Sequence, residues 1–258
     1  MLQLRSVALA AALSAALSAL AQAPTNQEPA ARSLPRKEAL SYSIEWRFIH
    51  AGNARLVWQA ANDGQDGWST QLHLESAGLV SRLFKVNNDY TSRLNNRLCI
   101  ASSLLRASEG SRRRETSVTF DAARRKANSV ERDLVKNQTL SQEIDIRPCE
   151  HDVVGALYVL RSMRLEPGQS TEVAISDGKK AVMAKVEAQE RETIKTDSGT
   201  HKTIRYEAFL FNNVLFRRSG RLFVWLTDDD RRLPVQIRVR LPFYVGTVTL
   251  QLEKEGKA

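Results

Sequence analysis

Tyr42-Ser43-Ile44-Glu45-Trp46-Arg47-Phe48 sets an aromatic or aliphatic side chain at every second position, with polar residues between. A period of two is the repeat of an extended strand, whose successive side chains leave opposite faces. The stretch therefore reads as a strand with one face buried. The same alternation recurs at Arg55–Gln59, Ser69–Glu75 and Thr116–Phe120. It returns beyond residue 170 at Glu172–Ile175, Ala181–Val186, Thr203–Phe211, Arg221–Thr227, Leu233–Leu241 and Gly246–Leu252. Turn-forming pairs punctuate these runs at Asp63-Gly64, Asp177-Gly178, Ser198-Gly199 and Ser219-Gly220. The spacing predicts a mainly β protein of roughly a dozen strands or more. Such strands form an antiparallel meander that closes as a barrel-like fold or a sandwich.

One segment breaks the pattern. From Asp152 to Met163, Val153, Val154, Ala156, Leu157, Leu160 and Met163 cover more than one helical face, which predicts a buried central helix over about 152–163. Asp152 is placed to cap it, and Pro167-Gly168 follows its end. The helix separates two β-rich halves, but nothing linker-like flanks it, so residues 38–258 read as a single β-rich domain.

The chain has 258 residues, 42% of them hydrophobic and 26% charged, with a formal net charge of +9. These values exclude wholesale disorder, collagen-like repeats and a multi-span membrane protein. Met1 to Ala23 carries one cation, Arg5, then an apolar run from Val7 to Leu20 and an Ala-x-Ala end. That is the pattern of a secretory signal peptide. Cutting after Ala23 would leave Pro24 first, so residues 1–21 are expected to be removed, with cleavage near Ala21. Residues 22–37, rich in Pro, Ala, Gln and charge, read as a flexible tether. The expected location is periplasmic, with no transmembrane span after cleavage.

Cys99 and Cys149 are the two cysteines. In an oxidising compartment they are expected to form a structural disulfide, the alternative being two unrelated buried thiols. His50, His73, His151 and His201 form no zinc-ligand spacing. Cys149, His151 and Asp152 are the most suggestive cluster, either a nucleophilic constellation or a bridged cysteine followed by a helix cap. Asp228-Asp229-Asp230 reads as a calcium-binding cluster or as a charged hairpin tip. No nucleotide-binding or nucleophile-elbow motif occurs, so no catalytic residue, metal or cofactor is assigned. Basic residues cluster at Arg112–Arg114, Arg124–Lys126, Arg217-Arg218 and Arg231-Arg232, while Arg238 and Arg240 share one side of a strand. Arg231, Arg232, Arg238 and Arg240 are candidate anion-binding residues. Export argues against a nucleic-acid partner and towards phospholipid headgroups, lipopolysaccharide, acidic glycans or an acidic protein surface.

An ordered series of short motifs adds to this reading. Cys149-Glu150-His151-Asp152 is followed by Ala156–Arg161, Leu165-Glu166-Pro167-Gly168 and Asp177-Gly178-Lys179. Thr203-Ile204-Arg205, Gly220-Arg221-Leu222, Trp225–Asp229, Arg232–Val235 and Gly246-Thr247-Val248 then follow. In the first half, Tyr42, Ala51–Ala54 and Lys85-Val86 before Asp89 fit as well. Over about residues 38 to 253 the chain resembles the exported bacterial family known as domain of unknown function 3108. The resemblance implies antiparallel β-structure similar to a barrel-like fold of capsule-associated outer-membrane lipoproteins, with no catalytic residues to carry over. Unlike those lipoproteins, the chain has no lipobox cysteine.

The leading expectation is a non-catalytic protein that binds or scaffolds a cell-envelope lipid or glycan, with Trp46, Trp58, Trp68 and Trp225 as candidate wall residues. A hydrolase or transferase of envelope polymers is the second reading, and it needs His151, Asp152 and Asp228–Asp230 in one cleft. A protein-protein interaction module using its arginine faces is the third.

Overall fold

The computed structural model describes residues 34–61 and 66–256. The expected signal peptide, residues 22–33 of the tether and the Asp63-Gly64 turn lie outside the described residues. Strands β1 (Lys37–Trp46), β2 (Ile49–Ala60) and β3 (Trp68–Ser76) lead into a short helix α1 (Gly78–Leu83). Then come β4 (Val86–Leu94), β5 (Ile100–Glu109), β6 (Arg112–Asp121), β7 (Lys126–Asp133) and β8 (Gln138–Asp145). Helix α2 (Val153–Ser162) precedes β9 (Ser170–Ser176), β10 (Ala181–Thr196) and β11 (Gly199–Ala208). The chain ends with β12 (Arg221–Thr227), β13 (Pro234–Arg240) and β14 (Thr247–Gly256).

All fourteen strands lie in one antiparallel sheet, barrel-like rather than a two-sheet sandwich, in the order β8-β7-β6-β5-β4-β3-β2-β1-β14-β13-β12-β11-β10-β9. The inner face follows from the registers. Leu40, Tyr42 and Ile44 on β1 stand opposite Leu56, Ala54 and Gly52 on β2. On the other side Tyr42 and Ile44 meet Leu252 and Leu250 of β14. α2 packs on this face, with Tyr158 stacked on Trp58 at 3.7 Å and Trp58 on Trp68 at 4.9 Å. Seven of its ten residues are buried.

The hydrogen-bonded ladder does not close between the edge strands β8 and β9. Residues 146–151 fill the seam instead. The His151 backbone N–H donates to Ala174, Ser176 donates back to His151, and Ile100 donates to Glu150. The turn after β9 reaches across to the other side of the seam, where a Cβ on Gly178 would stand 2.4 Å from Val118 of β6. Gly178 has φ +82°, so both the backbone and the contact require glycine there. Val118, Ala127 and Ile146 form a second, small core at this seam.

Two expectations are corrected. Phe48 is not a strand residue on a buried face: Arg47 (φ 50°) and Phe48 (φ 67°) form the two-residue β1–β2 turn, and Phe48 is 99% exposed. Such a turn matches strand twist by placing both central residues at positive φ. The tether ends earlier than residue 37, because Leu34 is buried, Trp58 Nε1 donates to the Pro35 carbonyl and Ala60 to that of Arg36. β4, β5, β7 and β8, which alternation did not mark, complete the sheet. Their registers hold Ser92 against Ser103 and Ser129 against Gln142, so backbone pairing rather than apolar alternation defines them.

In this meander alternate turns fall at opposite ends. The β1–β2, β3–β4, β5–β6, β7–β8, β9–β10, β11–β12 and β13–β14 turns share one end, the hairpin end. α2, its flanking segments and the remaining turns form the helix end.

Candidate functional site

The residues singled out around the helix lie together at the helix end. Asp152 is buried; its Oδ1 accepts from the Gly155 backbone N–H at 2.8 Å, and its Oδ2 accepts from the Tyr90 hydroxyl at 2.5 Å. The first contact is a helix cap, which satisfies a donor left free in the first turn. His151 is buried, with Nδ1 2.7 Å from the Leu98 carbonyl. A carbonyl only accepts, so Nδ1 carries the proton. Burial pushes the His151 pKa down, outweighing that bond, and the ring is neutral at pH 7. Cys149 is bonded to Cys99, closing a separation of 50 residues. The sulfur of this cluster is thus oxidised, the imidazole N–H donated and both carboxylate oxygens occupied.

A second polar group runs through the core, and the sequence reading missed it. Arg161, on the buried side of α2, donates to both oxygens of Glu38 at 2.6 and 3.0 Å. Tyr158 donates to the same Glu38 at 2.9 Å, and the Arg161 Nε donates to the Arg232 carbonyl at 3.0 Å. Tyr42 donates to the Pro234 carbonyl at 2.8 Å. Burial pulls the Arg161 pKa down, but its hydrogen bonds to Glu38 and the nearby tyrosines outweigh that and hold it up, so the guanidinium stays charged. Burial drives the tyrosine hydroxyls well above their ordinary range, which keeps them donors. The signal for this pair was present in one place: an arginine inside an otherwise apolar helix needs a buried partner.

Asp228, Asp229 and Asp230 do not converge on a common point. Asp228 pairs with Arg191 at 2.8 Å and Asp230 with Arg164 at 2.9 Å. Asp229 accepts from the Thr227 hydroxyl and from the backbone of Arg231 and Arg232. Among the described residues no group of three or more His, Cys, Asp or Glu side chains is gathered as for a metal ion.

The four candidate anion-binding arginines separate into two places. Arg231 pairs with Glu255, and Arg232 is buried with its guanidinium on Tyr206. Arg231 keeps 60% of its side chain exposed beside Glu255, whereas Arg232 is enclosed. Arg238 and Arg240 lie on the outer face, over Trp225 at 5.0 Å and Phe223 at 5.2 Å. Arg205 and Arg221 cover the other side of Phe223 and pair with Glu192 and Glu207. Phe223 and Trp225 are therefore buried beneath guanidinium groups on the side away from α2. Desolvation and the neighbouring Arg240 hold the Arg238 pKa below its usual value.

The interior beside α2 is filled by Trp58, Tyr158, Tyr42 and Tyr206. Trp58 is thus core with Trp68 packed against it, Trp225 is buried beneath Arg238, and Trp46 donates to the Val245 carbonyl under Arg47. A polar cleft of about 490 Å³ opens at the helix end, lined by Ser69, Gln71, Thr91, Arg93 and Ser102.

A mainly β, single-sheet, barrel-like protein with a plugging helix is the class that fold and site define. The chain matches the family described as protein of unknown function (DUF3108) over residues 41–253, and it belongs to that family. Among solved structures it is similar to a β-barrel-like protein of domain of unknown function DUF1849 from Brucella abortus, with TM-score 0.52 and 8% identity over 87% of this chain and 99% of the other. A protein of YmcC-like fold from Bacteroides fragilis, conjectured to be exported, gives TM-score 0.38 and 8% identity over 87% and 97% of the two chains. No curated protein matches the sequence. The Brucella likeness supports the fold alone. No helix among the described residues is long and apolar enough to cross a membrane.

Proposed function

We propose that the protein is exported to the periplasm and acts there as a non-catalytic binding or scaffolding component of the cell envelope, through its outer surface. The observation that carries this reading is the state of the helix-end cluster. Cys149 is bridged, His151 is enclosed against the Leu98 carbonyl, and Asp152 is held by Gly155 and Tyr90. A hydrolase needs a nucleophile and base free to meet a substrate. Here those groups fasten the crossover that plugs the sheet. The filled interior argues against carriage inside the barrel and leaves the surface to bind. The signal-like pattern of residues 1–21 supports export.

Fractionation with N-terminal sequencing tests the location: a periplasmic chain beginning at Gln22 is expected, and a cytoplasmic chain retaining Met1 overturns it. Photocrosslinking in intact cells tests the role, with adducts to an envelope lipid or glycan expected. Turnover of an envelope polymer that disappears in His151→Gln and Asp152→Asn, both still folded, would replace the binding reading with the enzymatic one. Arg238 and Arg240 favour a second reading, since neither has a carboxylate ion pair among the described residues. A salt-sensitive protein partner lost in Arg238→Ala/Arg240→Ala would make this surface a protein-interaction module.

A further inference from the structure

The exposed apolar side chains are not scattered. Of the fourteen large hydrophobic residues exposed on the described surface, all but Leu140, Val153 and Met183 lie at the hairpin end. Phe48 is 99% exposed, Phe243 94%, Tyr244 79% and Leu83 74%. Isolated exposed hydrophobics need no explanation, but a concentration at one end marks an interaction surface.

Neighbouring turns hold these tips in place. Arg47 donates to the Phe243 and Tyr244 carbonyls at 2.6 and 3.0 Å, tying the β1–β2 and β13–β14 turns together. Ala77 donates to Ala51, and Gly110 to Lys85, joining the next two turns along the rim. Lys180 bonds the Asn213 and Val214 carbonyls across to the β11–β12 loop. Phe48 keeps a positive φ that costs a non-glycine residue energy. A turn that needed only to reverse the chain would be better served by Asn-Gly.

Charge in the turns of this end is predominantly positive. Its seven turns contain eight Lys or Arg residues and a single acidic residue, Asp177. Asp177 is already used by the backbone of Lys179 and Lys180. Arg82, Lys85, Lys136, Arg217 and Arg218 are exposed, and no ion pair engages them among the described residues. The helix end, by contrast, mixes acidic and basic side chains that pair with each other.

We propose that the hairpin end docks onto the surface of an anionic phospholipid bilayer. The aromatic and aliphatic tips enter the headgroup boundary, and the ring of cations meets the phosphates. Such a surface supplies both parts that this end lacks, an apolar layer and a dense negative charge. An acidic glycan would match the cations but leave Leu83, Leu134 and Val135 in water. A second copy would bring two rims of like charge together. The inference rests on the surface-binding reading above, and deepens it by naming the partner and the face.

The test uses the full chain, recovered after the host has processed its N-terminus. Binding is read by co-sedimentation with phosphatidylethanolamine vesicles containing about a quarter phosphatidylglycerol, and with neutral phosphatidylcholine vesicles. Preference for the anionic vesicles by about tenfold or more is expected, weakening as salt is raised. Phe48→Ser/Phe243→Ser and Arg217→Glu/Arg218→Glu should each lower that binding about tenfold. Arg124→Glu/Arg125→Glu, an equal charge change at the helix end, should leave it unaltered. Emission from Phe48→Trp should shift to the blue on anionic vesicles. Unchanged thermal unfolding of each variant separates loss of docking from loss of fold. Equal binding to both vesicle types, undiminished binding of the rim variants, or rim-dependent dimerisation without vesicle binding overturns the proposal. A failure here leaves export untouched, because export is read by fractionation.

Discussion

The two ends of the sheet use the same kinds of side chain in opposite ways. At the helix end Arg161 is enclosed by Glu38, Tyr158 and the Arg232 carbonyl, and Trp58 is stacked between Tyr158 and Trp68. At the hairpin end Arg217 and Arg218 stand in solvent, and Phe48 and Phe243 project beyond the fold. A charge removed from water must be matched, because its desolvation is costly, and an aromatic ring contributes stability by leaving water. The helix end meets both conditions and so supports the fold. The hairpin end meets neither, so its residues add little to stability and are free to meet something else.

That contrast predicts a graded series. Arg161→Met leaves Glu38 buried without its cation and should destabilise the protein by about 3–5 kcal/mol in chemical denaturation. Adding Glu38→Leu to that variant should recover much of the loss, since the unmatched charge is then gone. A double variant no less destabilised than Arg161→Met would mean that packing, not charge, dominates the site.

Cys99→Ala/Cys149→Ala frees the seam between β5 and the segment leading to α2. Loop-closure entropy for this separation sets the loss at about 4 kcal/mol as an upper figure. Proteolysis after Arg97, two residues before Cys99, should appear in the reduced or substituted protein first, because that seam opens before the rest.

Acidification should act through His151. Folded, the ring is held neutral by burial, while in the unfolded chain it titrates near its ordinary value of about 6.5. Below that pH the unfolded chain takes up a proton that the folded chain resists, so stability is full above it and falls on acidification. His151→Gln should flatten this part of the pH profile. A profile identical to the parent's would place the acid sensitivity elsewhere.

The smallest effect belongs to the hairpin end. Phe48→Ser and Phe243→Ser should move stability by no more than about 0.5 kcal/mol, as exposed positions do. A larger loss in thermal unfolding would mean that the tips brace the turns, and would erase the difference between the two ends.

Much of the helix end was legible before the fold was seen. Asp152 before Val153, with Pro167-Gly168 beyond, marked the start and stop of α2 within a few residues, because capping is a local interaction. The disulfide was also within reach, since two cysteines in a chain expected to be exported leave one pairing. Phe48 misled for an equally local reason: alternation continues through a turn of two residues, so the pattern does not show where the strand stops.

The sequence by itself determined a mainly β meander, one buried helix with its cap, and a pair of cysteines placed to be joined. Those features repeat or complete themselves over short stretches of chain, where periodicity and capping operate. Only the tertiary structure decided that β1 joins β14, that Glu38 faces Arg161, and that Arg47 ties Phe48 to Phe243. Each of these brings together residues more than a hundred positions apart, and their register comes from backbone pairing around the whole sheet. The gathering of exposed apolar and basic residues at one end has the same origin. It follows from alternate turns of a meander falling on alternate rims, which no single turn records.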